Sequence, residues 1–266
     1  MKKLRLGEFE RNSLVVFAIT MIANVLSYLY QIVMGNALTP ADYGTVNTLL
    51  SLSVVVGVPS GIISALTATY TAKYHAHGET FAIAAFMHGM LRVAAVLAAI
   101  VFVVGALLSR PIAHVLQIDD PHYVTVVMVL VASNCLGPVF SSTLQGVKRF
   151  IPYSMNSVLS FAFRLLLGVI FVWLGWGIPG ALAALILAAC LTMLYCLFKS
   201  QDLFFAPVKE KLALDRTEIR RYFVSTFWFQ LFLLLMANGD VLLIKTFAAD
   251  PAEVGIYSSG SVIGKI

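Results

Sequence analysis

Charged side chains are scarce in this sequence: Asp, Glu, Lys and Arg together make up 12% of its 266 residues, whereas an ordinary soluble domain carries roughly 25%. Hydrophobic residues reach 60%, and the mean hydropathy is +0.90. A chain of this composition cannot cover its surface with polar groups. Water is therefore not its main solvent, and a soluble enzyme is excluded.

Cysteine is equally scarce. The three cysteines, Cys135, Cys190 and Cys196, lie inside apolar stretches, and their spacing matches neither a zinc site nor a disulfide framework. We interpret them as small hydrophobic residues and expect no metal and no bound cofactor. The net charge is +5, but the basic residues form short clusters between apolar runs, which indicates membrane orientation signals and not nucleic-acid binding.

Long apolar runs make up most of the sequence. They cover about residues 13–34, 45–72, 83–108, 122–143, 153–174, 177–198 and 222–247, and another begins at residue 255. A transmembrane helix needs about 20 apolar residues, whereas a strand of a membrane barrel needs only about ten with alternating polarity. The sequence predicts an all-α, polytopic transmembrane bundle of seven helices plus the start of an eighth. The first run is too long for a signal peptide and is expected to stay uncleaved.

Lys and Arg are distributed unequally between alternate connections. Thirteen of them lie in the N-terminal segment and in the second, fourth and sixth connections, whereas Arg110 is alone on the other side. Basic residues are enriched in cytoplasmic loops. This bias predicts a multi-pass protein of the inner membrane with a cytoplasmic N-terminus.

A short repeat divides the chain. Residues 39–44 (TPADYG) follow the first run, and residues 250–255 (DPAEVG) follow the seventh. Both have the composition of a helix start, but only a duplication explains why six helices separate them. We predict a six-helix N-terminal lobe (1–198), a cytoplasmic linker (199–221) and the start of a second lobe (222–266). Because the last run ends before it could span a bilayer, we expect a truncated second lobe.

Several short motifs carry a family resemblance. They are Leu29-Tyr30-Gln31, residues 38–44, Tyr70 to Lys73, Gln145-Gly146, Asp240 to Lys245, and Gly255-Ile-Tyr257. Together they resemble the polysaccharide-transporter branch (Wzx-type flippases) of the multidrug/oligosaccharidyl-lipid/polysaccharide exporter superfamily. The resemblance implies two lobes around a central cavity that opens alternately to either side. It also implies export of an undecaprenyl-pyrophosphate-linked glycan and polysaccharide assembly proteins as partners.

Three alternatives compete with a polysaccharide flippase. Multidrug exporters of the superfamily carry an acidic pattern in the first helix, whereas residues 13–34 contain no charge. Lipid II flippases carry an Arg-Asp pair there, where this chain reads Ser27 to Gln31 as SYLYQ. A membrane-embedded polymerase or ligase needs catalytic groups on a sizeable outer loop, and the longest outer connection is only about 110–122. We therefore expect a transporter and not an enzyme.

Arg164 lies near the middle of the fifth run. Inserting an arginine there costs roughly 2.5–3.5 kcal/mol, so it should face a wet cavity or a partner. One hypothesis is that it binds the pyrophosphate or an acidic sugar of the substrate. The other is an ion pair with Asp240 in the seventh run. Asp240 could instead bind a coupling proton or sodium ion.

Two further basic residues lie within apolar runs and are candidates for the cavity. Arg92 in the third run either reaches the membrane surface with its charged end or faces a substrate phosphate. Lys245 lies close to the outer end of the seventh run, so it is expected to extend toward the interface.

A polar stripe follows one face of the second predicted helix. It includes Ser60, Ser64 and Thr67 and runs beside Pro59, which should bend the helix because proline removes a backbone hydrogen bond. The stripe is either the polar wall of a cavity with a hinge at Pro59 or a surface for close helix packing through small residues.

Overall fold

The computed structural model describes residues 4–207 and 216–247, together with Tyr257 and Gly260. Within these residues every regular element is an α-helix, which confirms the predicted all-α bundle. The helices are α1 (Leu4–Ala37), α2 (Pro40–Val56), α3 (Val58–Ala76), α4 (Thr80–Leu107), α5 (Ser109–Val115), α6 (Pro121–Gly146), α7 (Phe150–Trp173), α8 (Gly177–Phe204) and α9 (Arg216–Phe247).

The long helices follow the predicted apolar runs. Five of them, α1 from Ser13 onward, α4, α6, α7 and α8, are long and apolar enough to cross a membrane, and the pair α2–α3 makes a sixth span if it is counted as one. The seventh run forms α9, whose apolar stretch covers Phe223–Leu233. The chain is thus a multi-pass membrane protein. The eighth run and the second copy of the repeat lie outside the described residues, apart from Tyr257 and Gly260.

The second predicted span is broken into two helices. Its start is fixed by Thr39, whose hydroxyl accepts a hydrogen bond from the Asp42 backbone N–H at 3.2 Å, with Pro40 as the first helical residue. The break comes at Gly57, two residues before Pro59, and the axes of α2 and α3 differ by 49°. Because proline has no N–H, it cannot continue the hydrogen bonding of the preceding turn. The predicted bend is therefore present.

Two apolar clusters hold the bundle together, one on each side of its middle. The first cluster includes Tyr30, Met34, Leu49, Val127 and Leu185. The second includes Ile62, Phe86, Leu144, Cys196 and Leu203. The bent pair α2–α3 and the helices α6 and α8 each contribute side chains to both clusters. Along α6 and α8, residues between the two clusters border the cavity described below, and Cys196 of the second cluster borders it as well.

The last described helix packs against the rest of the bundle. Phe223, Phe227 and Leu231, spaced one turn apart on α9, lie against the second apolar cluster, and Gln230 lies against Gly61 of α3. Helix α8 continues to Phe204 and α9 begins at Arg216, so parts of the predicted linker are helical. The division into lobes remains a prediction.

An ion pair ties one end of the bundle together. The guanidinium of Arg149, in the turn between α6 and α7, pairs with the carboxylate of Asp202 near the end of α8, with 2.9 Å between Nη1 and Oδ1. The same Nη1 donates to the Lys199 carbonyl oxygen at 2.9 Å. Since both charged groups are exposed, the pair contributes at most about 1 kcal/mol to stability.

Candidate functional site

A cavity of about 450 Å³ lies in the middle of the bundle, between the two apolar clusters. The bent pair α2–α3 and the helices α6, α7 and α8 line it. The polar side chains in the lining are Ser53, Ser60, Ser133, Asn134, Ser141, Asn156, Ser160, Arg164 and Thr192. The lining is thus rich in neutral polar side chains, although the surrounding helices are strongly hydrophobic.

A proline lies at or close to this cavity in two of the helices, at the start of α3 and inside α6. Gly57 and the residues around it line one wall, and Pro138 in α6 belongs to the lining as well. Pro138 has no N–H, so the Asn134 carbonyl loses its usual helical hydrogen-bond partner. At membrane depth an irregular backbone is tolerated where it borders a cavity. The break at Gly57 and the proline inside α6 therefore add backbone polarity to a site that already holds polar side chains.

Arg164 carries the positive charge of the cavity. It follows Asn156 and Ser160 on α7 at intervals of four residues, so the three side chains share one face. Its Cζ lies 5.3 Å from the ring centre of Phe161. Its Nε is buried and has no hydrogen-bond partner among the described residues, and no described acidic side chain lines the cavity. The guanidinium is therefore suited to attract an anion.

The polar stripe predicted on the second span is divided between two roles. Ser60 lines the cavity. Ser64 instead shares a hydrogen bond of 2.7 Å with Ser142 of α6, and Thr67 is fully buried with no partner for its hydroxyl in the described part of the chain. The stripe thus begins in the cavity at Ser60 and then becomes a packing surface between α3 and α6.

Three predicted site residues remain, namely Arg92, Asp240 and Lys245. Arg92 is exposed on the outer surface of α4 and does not line the cavity. The reason is helical periodicity: Met90 and Ala94 of α4 are buried, so Arg92, between them, projects from the opposite face. For Asp240 and Lys245 the described part is only the helical backbone of α9. Their side chains lie outside the described residues, and their roles stay predictions.

Sequence reasoning missed most of the polar groups of the site, among them Asn156. The Cys196 thiol donates a hydrogen bond to Oδ1 of Asn156, with 3.2 Å between sulfur and oxygen. This bond leaves the Asn156 amide N–H groups for a ligand. The spacing of four between Asn156, Ser160 and Arg164 could have indicated this face from the sequence. Among the described residues there is no cluster of His, Cys, Asp and Glu that could hold a metal ion.

A family model described as "Polysaccharide biosynthesis protein" matches residues 9–266. None of the curated proteins compared with this chain matches it.

Several solved structures share the fold. The inward-facing conformation of a multidrug resistance MATE family transporter of the MOP superfamily is similar over 95% of this chain and 61% of that one, with a TM-score of 0.75 and 14% identity. An outward-facing conformation of such a transporter gives a TM-score of 0.63 at 16% identity, over 96% of this chain and 65% of the other.

A third structure is a MOP superfamily transporter from Pyrococcus furiosus, described as having a binding pocket of reverse polarity. Its TM-score is 0.58 at 15% identity, again over 96% of this chain and 65% of the other. The chain therefore spans less than two thirds of the length of these transporters. At these identities the likeness concerns the fold.

Proposed function

Since this chain belongs to the family of polysaccharide biosynthesis proteins, we propose that it forms part of a flippase for an anionic lipid-linked oligosaccharide. The substrate class is an undecaprenyl-pyrophosphate-linked glycan, which moves from the cytoplasmic to the outer leaflet of the inner membrane. Proteins of polysaccharide assembly are the expected partners.

The observation that carries this proposal is the Arg164 guanidinium in an otherwise neutral cavity. Arginine presents a planar set of donors that matches the oxygens of a phosphate, and such charge-assisted hydrogen bonds are stronger than neutral ones. The neighbouring serine and asparagine side chains can exchange hydrogen bonds with sugar hydroxyl groups. The cavity volume of about 450 Å³ falls within the range of about 300–1,000 Å³ that is usual for ligand sites.

The break between α2 and α3, together with the proline inside α6, supplies a means of alternating access in this proposal. Rigid segments joined by proline breaks can change their relative angle without losing their internal hydrogen bonds. The break between α2 and α3 and the proline in α6 both lie at the cavity, so a change of angle there would open it toward one side of the membrane. Pro59 is the hinge in this proposal. Asp240 is the candidate for binding a coupling proton or sodium ion.

Other functions fit the site less well. Export of cationic drugs is disfavoured because Arg164 would repel a cation in a low-dielectric cavity. A lipid II exporter would use the same phosphate chemistry and differs only in the sugar. A polymerase or ligase would need catalytic groups on a sizeable outer loop, whereas the connection between α4 and α6 is short and is partly taken up by the helix α5.

A translocation assay tests the proposal. Full-length protein in proteoliposomes is supplied with a fluorescent oligosaccharide on undecaprenyl pyrophosphate, or with the same oligosaccharide on undecaprenol without phosphate. We expect the pyrophosphate form to cross at least about tenfold faster, which corresponds to roughly 1.4 kcal/mol of preference. Equal rates for both lipids, or transport of an amphipathic cation in their place, would contradict the proposed substrate class.

A further inference from the structure

Most hydroxyl groups at the cavity already donate their hydrogen within the protein. Six serine and threonine side chains belong to the lining, and each hydroxyl has a single hydrogen to donate. Four of the six donate to a backbone carbonyl of their own helix, at 2.6–2.9 Å, a common bond for such residues in helices. These four are Ser53, Ser60, Ser133 and Thr192, one each from α2, α3, α6 and α8. Toward a ligand they therefore present lone pairs and act as acceptors.

Helix α7 has the opposite hydrogen-bonding polarity. The thiol of Cys196 donates to Oδ1 of Asn156, with 3.2 Å between sulfur and oxygen. This bond fixes which end of the amide faces Cys196 and leaves the NH₂ group, with two donors, for the cavity. The guanidinium of Arg164 on the same face of α7 has donors only. Helix α7 therefore donates at both ends of its lining segment, whereas each of the other four helices contributes an accepting hydroxyl.

The two donors on α7 occupy different levels of the cavity. Asn156 and Arg164 are two helical turns apart, which places their backbones about 12 Å from each other along the axis at about 1.5 Å per residue. Both side chains line the cavity. An anion centred on the guanidinium therefore leaves the Asn156 amide to another part of the same ligand. In a lipid-linked oligosaccharide that part is the sugar.

We propose that Asn156 is a specificity-determining residue, whose NH₂ group donates to an acceptor oxygen of the sugar, and that Cys196 is the positioning residue that orients this amide. Hydroxyl groups of the same sugar donate to the accepting serine and threonine oxygens of the other helices. This inference rests on the proposed function, because it divides one cavity between the anion at Arg164 and the sugar at Asn156.

Two fluorescent lipids test the role of Asn156 on the full-length protein in nanodiscs: undecaprenyl pyrophosphate, and the same lipid carrying an oligosaccharide of acetamido sugars. We expect the unmodified protein to prefer the glycan-bearing lipid. Asn156→Ala should weaken binding of that lipid about three- to tenfold, as for the loss of one hydrogen bond, and leave binding of the sugar-free lipid unchanged. Arg164→Gln should weaken binding of both lipids, because both carry the pyrophosphate.

A second variant isolates the donor. Asn156→Asp keeps the shape of the side chain and an acceptor for the Cys196 thiol, but its carboxylate has no N–H. We expect it to lose the preference for the glycan-bearing lipid as Asn156→Ala does. Thermal unfolding of every variant shows whether the fold is intact.

The positioning role of Cys196 is tested by two substitutions. Cys196→Ala removes the donor and should weaken binding of the glycan-bearing lipid about two- to threefold, whereas Cys196→Ser keeps a donor and should bind it nearly as the unmodified protein does. In an Asn156→Ala background Cys196→Ala should have no further effect. Cys135→Ala is the matched control, because Cys135 is also a fully buried cysteine of a membrane-spanning helix but does not line the cavity. It should bind both lipids normally.

The inference is overturned if the unmodified protein binds both lipids equally, or if Asn156→Ala weakens both to the same extent, because Asn156 then does not recognise the sugar. A loss from Cys196→Ala that persists in the Asn156→Ala background would mean that Cys196 acts through packing alone.

The two proposals fail in different ways. If Arg164→Gln weakens binding of both lipids and Asn156→Ala weakens neither, the role of Asn156 is wrong while the proposed function stands. If Arg164→Gln leaves binding of both lipids unchanged, the proposed anionic site is wrong, and the division of the cavity between anion and sugar fails with it.

Discussion

Replacement of Arg164 by alanine is expected to reduce translocation of a pyrophosphate-linked saccharide by about ten- to a hundredfold. The change removes charge-assisted hydrogen bonds, each worth about 1.5–3 kcal/mol. It should not impair membrane insertion, because an alanine is easier to place in the bilayer than an arginine. Arg164→Lys should retain part of the activity, since lysine keeps the charge but lacks the planar fork of donors.

Arg92 provides the matched control for this experiment. It is also an arginine within an apolar helix, but it is exposed on the outer surface of α4 and does not line the cavity. Arg92→Ala should therefore transport at nearly the unmodified rate in the same proteoliposome assay. Full activity of both Arg164→Ala and Arg164→Lys, in protein that is stably inserted, would remove Arg164 from the mechanism.

The second large effect is expected from Gly146→Ala at the contact between α3 and α6. A Cβ at this position would overlap the Thr71 hydroxyl and come within 2.8 Å of the Ala68 carbonyl oxygen and 3.0 Å of the Ala72 nitrogen. Two of these neighbours are backbone atoms that cannot rotate away, so the helices must separate. Overpacking of this kind typically costs about 1–3 kcal/mol. The loss is measured as a lower midpoint of thermal unfolding in detergent.

Gly89→Ala separates this effect from helix propensity. Gly89 is also helical, in α4, but a Cβ there would meet no atom within 4 Å. Alanine favours a helix over glycine by about 1 kcal/mol, so Gly89→Ala should leave the midpoint unchanged or raise it. If Gly146→Ala behaved in the same way, the close approach of α3 and α6 would be wrong.

Much of the fold could be predicted because the signals are local. The membrane-spanning helices follow from the length of apolar runs, the start of α2 from Thr39 and Pro40, and the bend from Pro59. Each of these features depends only on the residues of one segment and on the solvent that surrounds it. The short helix α5 was not predicted, because its seven residues lie in a connection and form no apolar run.

The candidate site was harder to predict because its composition depends on which neighbouring helix packs against each side chain. Arg92 and Arg164 look alike in the sequence, yet only Arg164 lies on a face that other helices leave open as a cavity. Likewise Ser60 and Ser64 belong to one stripe, but α6 covers Ser64 through its bond to Ser142. The periodicity of a helix shows which residues share a face and cannot show what packs against that face.

In the proposed mechanism the substrate binds in the cavity beside Arg164. The most direct test is a Ser160→Cys variant, in a background with Cys135, Cys190 and Cys196 replaced by alanine, treated with a thiol reagent with and without undecaprenyl-pyrophosphate oligosaccharide. Ser160 lines the cavity, one turn from Arg164, while Ser157 is exposed on the surface of α7 and serves as the control.

We predict that the lipid-linked sugar slows labelling of the cysteine at 160 and leaves labelling at 157 unchanged. The protection should disappear when Arg164 is replaced by glutamine. Unchanged labelling at 160 in protein that is actively transporting would show that the substrate passes elsewhere and does not bind in this cavity.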